Sequence, residues 1–429
     1  MARLVHLLPL ALACLLAACT GNAREPDASG AGCPLPDLDG PLTKPAGSVR
    51  FATFNVYLNR SEEGALLRDL TSADATADTK SHRQLRAVAE IIQRVRPDVL
   101  LLNEFDHDEA GAAIAVFQRK FLGAVQNGQQ PIDYPYRFSG PVNTGVPSGV
   151  DLDGDGRLGG PGDLLGFGAF PGQYGMVLLS RYPILKDKAR TFQRFLWQDM
   201  PGALLPDNPA TPAPGDYFSA AALAVFRLSS KSHWDLPIDL GEHIVHVLAA
   251  HPTPPVFDGP EDRNGRRNFD EIRFWSDYIG APEDNRYHVD DAGRRGGLGR
   301  QPFVIMGDYN ADPFDGSGRT SAIGQLLTNP AVNASVTPGS TGGAEDAARE
   351  GRANETHRSD PALDTADFNP ASPGNLRVDY VLPSVHGLHP VCGGVFWPSA
   401  EDATRALVGD GQPVASSDHR LVWMDLLPR

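Results

Sequence analysis

Positive charge is in short supply in this chain. Lysine and arginine number 38 against 53 aspartates and glutamates, a formal net charge of -15 at pH 7, which argues against a protein that grips nucleic acid chiefly through its overall field. A local basic groove or bound divalent cations would have to supply that grip. Apolar runs of membrane-spanning length are missing too: the N-terminal one, Leu4 to Ala18, is too short to cross a bilayer. No internal repeat divides the chain. Cysteine is scarce, with four residues at Cys14, Cys19, Cys33 and Cys392. What remains is an ordinary globular composition, 41% hydrophobic and 21% charged, able to bury a substantial core. Glycine (45) and proline (37) are plentiful and favour many strands joined by long irregular loops over a helical bundle.

Residues 1–18 read as a targeting segment, with a brief basic start, an apolar stretch and a close on small residues. Leu16-Ala17-Ala18-Cys19 resembles a bacterial lipobox, which implies cleavage before Cys19, lipidation of that residue and a firm multi-chain membrane anchor. An extracytoplasmic, membrane-anchored lipoprotein is therefore expected, in the periplasm or on the cell surface. With Cys14 discarded and Cys19 carrying lipid, Cys33 and Cys392 are left as the two thiols that an oxidising compartment invites into one disulfide. Residues 19–47 are rich in Gly, Ala, Pro and Asp without periodicity, a flexible tether ahead of a domain spanning 48–429.

From Ser48 onward the pattern is α/β. The pivotal stretch is Phe303-Val304-Ile305-Met306-Gly307-Asp308-Tyr309-Asn310, an apolar strand that stops at a glycine and delivers a carboxylate and a carboxamide two residues apart on one face. Other predicted strands end the same way. Val49 to Val56 carries Asn55, Val99 to Leu102 leads into Asn103 and Glu104, His243 to Ala250 terminates at His251, and Arg377 to Pro383 carries Asp379. Asp418 and His419 precede a last core strand. Gln173 to Ile184 and Ala220 to Leu228 read as further strands. Helices are predicted over Ser81 to Arg96, over Phe269 to Ile279 and, within a mostly loop-like span from Phe314 to Asn375, over Ser321 to Leu327. Asp151, Asp153 and Asp155, followed by Gly156, match the first half of a calcium loop. The second half departs from that pattern, and the alternatives are a Ca²⁺-ordered surface loop or an acidic turn.

The ordered set Asn55, Glu104, His251, Asp308 with Asn310, Asp379, and Asp418 with His419 resembles the endonuclease/exonuclease/phosphatase superfamily, over about Val49 to Leu427. The resemblance implies a four-layer α/β sandwich: two mostly antiparallel sheets packed face to face, helices outside, and the site at one edge of the sheets. It also implies a divalent-metal-dependent phosphoester hydrolase, with Asn55, Glu104 and Asp418 at a Mg²⁺ (or Mn²⁺) site and His251, Asp308, Asn310, Asp379 and His419 as the catalytic set. Asp379 would orient His419. His251 favours the deoxyribonuclease, sphingomyelinase and inositol phosphatase branches over abasic-site endonucleases. Three functions follow: a phosphodiesterase or nuclease; a phosphatase or phospholipid phosphodiesterase for small phosphoesters or lipid head groups; and a non-catalytic, surface-anchored binding protein on the same scaffold. The last would show a missing catalytic residue, and none is missing. A monomer is expected.

Overall fold

The computed structural model describes residues 38, 42–72, 78–319, 321–411 and 414–429. The expected signal segment, Cys19 and Cys33 lie outside the described residues. In chain order the strands are β1 (Val49–Leu58), β2 (Val99–Phe105), β3 (Tyr136–Phe138), β4 (Met176–Ser180), β5 (Arg190–Thr191), β6 (His233–Asp239), β7 (Ile244–Ala250), β8 (Phe303–Asp308), β9 (Asp379–Pro383), β10 (Leu388–Val395) and β11 (Val422–Pro428). They form a six-stranded sheet, ordered β10-β11-β1-β2-β4-β3, and a five-stranded sheet, ordered β5-β6-β7-β8-β9. Each is mostly antiparallel with one parallel pair, β1 with β2 and β7 with β8.

The expected sandwich is what the alternation of side chains builds. Val245, Val247 and Ala249 of β7, with Val304 and Met306 of β8, join one core with Phe51, Phe54, Leu100 and Leu102 of the other sheet. Their neighbours Leu248, Ala250, Phe303 and Ile305 face the opposite way, into a second core shared with Ile272, Phe274, Trp275 and Tyr278 of the helix Arg263–Tyr278. The helix Lys80–Val95 starts where Thr79 Oγ1 accepts the His82 amide, 3.2 Å away, and stops at Arg96, ahead of Pro97. Leu85, Val88, Ile92 and Val95 along it are fully buried, each such burial contributing roughly 1.5–3 kcal/mol. No helix among the described residues is long and apolar enough to cross a membrane.

Three local expectations are corrected. Ala220–Leu223 is a short helix rather than the start of a strand, because Ser219 Oγ accepts the Ala222 amide at 3.1 Å and caps it. The helix Arg263–Tyr278 begins six residues before the expected Phe269. The span from Phe314 to Asn375 contains the helix Thr341–Glu350, capped by Ser340, besides the short Gly324–Leu327.

Arg50 on β1 ties the first sheet together from inside. Its guanidinium meets Asp425 on β11 through two 2.8 Å bonds and donates to Val95 O at 2.7 Å, with both charged side chains nearly fully buried. Asp425→Ala strands that guanidinium, and a loss of about 3–5 kcal/mol of unfolding free energy is expected in urea titrations; a loss under about 1 kcal/mol would mean that water reaches the pair.

Candidate functional site

The two parallel pairs decide where the polar strand ends fall. β1 and β2 run the same way, so Asn55 and Glu104 emerge at one edge; β7 and β8 do likewise for His251 and Asp308. β9 and β11 run antiparallel to their neighbours and begin at that edge, which brings Asp379 opposite Asp308 in register and sets His419 just ahead of β11. The backbone there is unusual. Glu104 (φ 59°), Tyr57 (φ 50°) and Asn310 (φ 50°) are left-handed, a conformation that L side chains adopt at a cost and that clusters at functional sites. Gly307 is needed for a different reason, since a Cβ there would lie 2.0 Å from the Ala250 carbonyl oxygen.

The side chains form one connected array. His419 Nδ1 lies 2.9 Å from Asp379 Oδ2, which also accepts from Thr365 Oγ1 at 2.9 Å. On its other side His419 Nε2 lies 3.7 Å from Asp308 Oδ2, and His251 Nε2 reaches the same oxygen at 3.3 Å. Asn55 Nδ2 bridges Asp308 Oδ2 and Glu104 Oε1, 3.1 Å from each, and Asn59 Nδ2 donates to Glu104 Oε2 at 2.7 Å. Asn310 closes the turn, its amide on Asp308 Oδ1 at 2.9 Å and its Nδ2 on Pro252 O at 3.2 Å.

Charge follows from that wiring. Burial opposes the His419 cation, but Asp379 and then Asp308 outweigh it and hold the ring well above the usual histidine range. His251 goes the other way: burial, reinforced by Lys231, lowers it to about 4 despite Asp308. Asp308 is held below the ordinary carboxylate range, the two histidines overcoming its burial. Desolvation and the neighbouring Asp418 push Glu104 up to about 7, and Asp418 Oδ1 is buried without a hydrogen-bond partner. The geometry thus separates a histidine–carboxylate chain from a pair of carboxylates that repel each other.

A cleft of about 1000 Å³ opens over this edge. Glu104, His251, Asp308, Asn310, Asp418 and His419 line it, with Asn55 and Asp379 bonded directly behind. The eight residues picked from the strand ends are therefore together. Asp308, Asp379 and His419 offer ligand-type atoms within 4.8 Å of one another, as do Asp151, Asp153 and Asp155 in their separate loop. In that loop Asp151 takes the Gly154 and Gly156 amides at 2.7 and 2.9 Å, and Asp153 reaches the rim of the cleft. Cys392 is disulfide-bonded; its expected partner Cys33 lies outside the described residues. Sequence reading missed Lys231, Asn59 and Thr365. Asn59 was findable, being the next polar residue to point back from the end of β1.

The family model described as "Endonuclease/Exonuclease/phosphatase family" matches residues 52–419. A search of the curated proteins returns no match. Among solved structures, an endonuclease/exonuclease/phosphatase from Beutenbergia cavernae is similar with a TM-score of 0.46 and 17% identity, over 88% of this chain and 71% of that one. Sphingomyelinase C from Streptomyces griseocarneus gives a TM-score of 0.42 and 14% identity, over 88% and 99% of the two chains. A mutant beta toxin from Staphylococcus aureus with bound magnesium ions gives 0.43 and 13%, with the same two coverages. All three likenesses are distant, and the family assignment rests on the family match.

The opposed histidines are open to measurement. NMR titration of the ring protons should show His419 losing its proton only well above the usual histidine range and His251 neutral down to about pH 4. In Asp379→Asn the first ring loses its anion and should titrate nearer the ordinary value of about 6.5. Two wild-type rings titrating together near that value would refute the wiring.

Proposed function

This chain belongs to the Endonuclease/Exonuclease/phosphatase family, whose members are metal-dependent phosphoester hydrolases, and on that premise we propose that its cleft hydrolyses phosphodiesters outside the cytoplasm. The observation that carries the reading is the chain of contacts Asp379, His419, Asp308, His251 facing the mutually repelling carboxylates Glu104 and Asp418. Phosphoester hydrolysis needs charge neutralised on the phosphoryl oxygens, an oriented water and help for the departing oxygen.

The metal corner is Glu104 and Asp418 with Asn55 beside them. Oxygen donors of this kind suit a hard divalent ion, and a raised Glu104 beside an orphaned Asp418 oxygen is what two carboxylates look like without their cation. Mg²⁺ or Mn²⁺ bound there would supply Lewis-acid neutralisation of phosphoryl charge. The cluster of Asp308, Asp379 and His419 is the poorer choice, because Asp379 Oδ2 holds His419 Nδ1 and Asp308 Oδ2 already accepts from Asn55 and meets His251, which leaves only Asp379 Oδ1 buried without a partner.

The protein's own groups divide the remaining work. Asp379 and Thr365 fix the His419 ring, so that a protonated Nε2 points toward Asp308 and the cleft as a donor to a phosphoryl oxygen. Asp308 stays ionised and accepts from a water held beside it. Asn310 braces that carboxylate, and His251, neutral, hydrogen-bonds the phosphate or the departing oxygen. The location is supported by the sequence alone, through the segment ending at Cys19 and the following tether. A phospholipid or small phosphoester substrate is the second reading. Phe257 and Phe167 stand 88% and 77% exposed at the cleft, offering apolar surface to part of a substrate rather than cationic surface to a long polyanion.

With bis-p-nitrophenyl phosphate and p-nitrophenyl phosphate, turnover should require Mg²⁺ or Mn²⁺, favour the diester, vanish in EDTA and fall by about 10²–10⁴-fold in His419→Ala. Absence of turnover on these and on DNA, RNA and sphingomyelin would leave a binding protein. Glu104→Gln tests the metal corner separately. At pH 8 in EDTA, where Glu104 is ionised against Asp418, the variant should melt above the wild type, and it should lose the rise in Tm that Mg²⁺ gives the wild type. An unchanged response to Mg²⁺ would move the ion elsewhere.

A further inference from the structure

Lys231 lies just ahead of β6 in the run Ser229-Ser230-Lys231-Ser232, and its side chain lines the cleft beside Glu104, His251 and Asp308. It is 6% exposed. Burying an ammonium group is costly unless a charge or hydrogen bond compensates it. Among the described residues, however, Nζ forms no hydrogen bond and no ion pair. The carboxylates that act on it from further off are Glu271, Glu104 and Asp308, in that order.

Glu271 is not a waiting partner. Its Oε1 accepts the Ser230 amide at 2.7 Å and its Oε2 the Thr253 amide at 2.6 Å. The same residue's carbonyl takes His233 Nε2 at 2.8 Å, and the Asn143 amide donates to Lys231 O at 3.0 Å. Glu271 thus pins the backbone on both sides of the cleft floor: at Ser230, where the lysine is rooted, and at Thr253, just past His251. The root is rigid and only the ammonium end is left uncommitted.

The other cations along the cleft are in use. Arg267 donates to Leu228 O and Leu165 O at 2.7 Å and to Arg227 O at 2.9 Å. Arg263 pairs with Glu261 and donates to Phe257 O at 3.1 Å. Among the described cleft residues, Lys231 is therefore the lysine or arginine whose charged end has neither a hydrogen-bond nor an ion-pair partner.

We propose that Lys231 Nζ anchors the substrate's phosphoryl group, donating to a non-bridging oxygen and holding the phosphorus against the edge where Asp308, His251 and His419 meet. The proposal rests on the phosphoester reading for its substrate, while the anion site itself stands on geometry. An ammonium is a compact charge with three donors, suited to oxygens that change direction as the phosphoryl group inverts. Those oxygens are charged before and during the reaction, so the contact serves ground state and transition state alike and acts mainly on KM.

The test uses the full chain with Mg²⁺ present, comparing wild type, Lys231→Met and Lys231→Arg. The readouts are kcat and KM on bis-p-nitrophenyl phosphate, the inhibition constant of inorganic phosphate, and the phosphate-dependent rise in Tm. Lys231→Met should raise KM and the phosphate inhibition constant by about 10- to 100-fold each, change kcat less, lose the phosphate-dependent Tm rise and keep or exceed the wild-type Tm without phosphate. Lys231→Arg should recover part of the phosphate affinity. Phosphate binding within twofold of wild type in Lys231→Met, or no response of the wild type to phosphate, would overturn the proposal. A Lys231→Met chain that fails to fold while Lys231→Arg folds and binds no phosphate would overturn it too, marking the lysine as a structural counter-ion to Glu271. Wild type that binds phosphate through Lys231 yet turns over no phosphoester would instead sink the hydrolase reading and leave the anion site standing.

Discussion

A buried anion, the carboxylate of Asp308, is the point on which the two sheets converge. One of its oxygens accepts from Asn55 of the first sheet and meets His251 of the second at 3.3 Å. An ionised carboxylate inside a protein is tolerable only when donors surround it, so the sandwich has to present those donors from both layers at one edge. That requirement explains the placement of the parallel pairs, the absence of a side chain at Gly307 and the left-handed backbone at Asn310. Shift either sheet by one residue and alternation turns these side chains to the wrong face.

From that anion the cleft acquires a gradient of charge. His419, flanked by two carboxylates, keeps its proton; His251, with one carboxylate and a nearby lysine, does not. Two chemically identical rings so become a cationic donor and a neutral partner within reach of the same oxygen. Further along, among the described residues, Glu104 and Asp418 repel each other and neither forms an ion pair with a cation, while the Lys231 ammonium feels carboxylates only from a distance and pairs with none. A phosphoester with a divalent ion satisfies both ends at once, which neither a free cation nor a neutral ester does.

Much of this was legible in the sequence because strands announce themselves. Short apolar runs that stop at Asn55, Glu104, His251 and Asp308 place polar groups at strand ends, and period two says which face they share. The architecture followed from the resemblance those residues carry. Lys231 escaped because no apolar run precedes it: the run Ser229 to His233 is polar, and β6 itself, with Asp235 and Pro237 inside it, does not read as a strand. The helix Thr341–Glu350 was hidden by Gly342 and Gly343, which lower helix propensity although Ser340 caps the start. Ala220 to Leu228 alternates well enough to mimic a strand, and only the Ser219 cap decides otherwise. Sequence pattern reports burial and period; it does not report which long-range hydrogen bond wins.

The position of β11 sets the timing of assembly. That strand lies between β10 and β1, so the first sheet is discontinuous until it has been made, and β1 presents an unpaired edge in the middle of what will become the core. His419 arrives with the same segment, and Ser417 Oγ then donates to the Asn55 carbonyl at 2.7 Å. Asn55 precedes His419 by several hundred residues in the chain, so the array is incomplete until the segment leading into β11 has joined β1. A hydrolase of phosphoesters built this way acquires its catalytic array in the same step that closes its sheet.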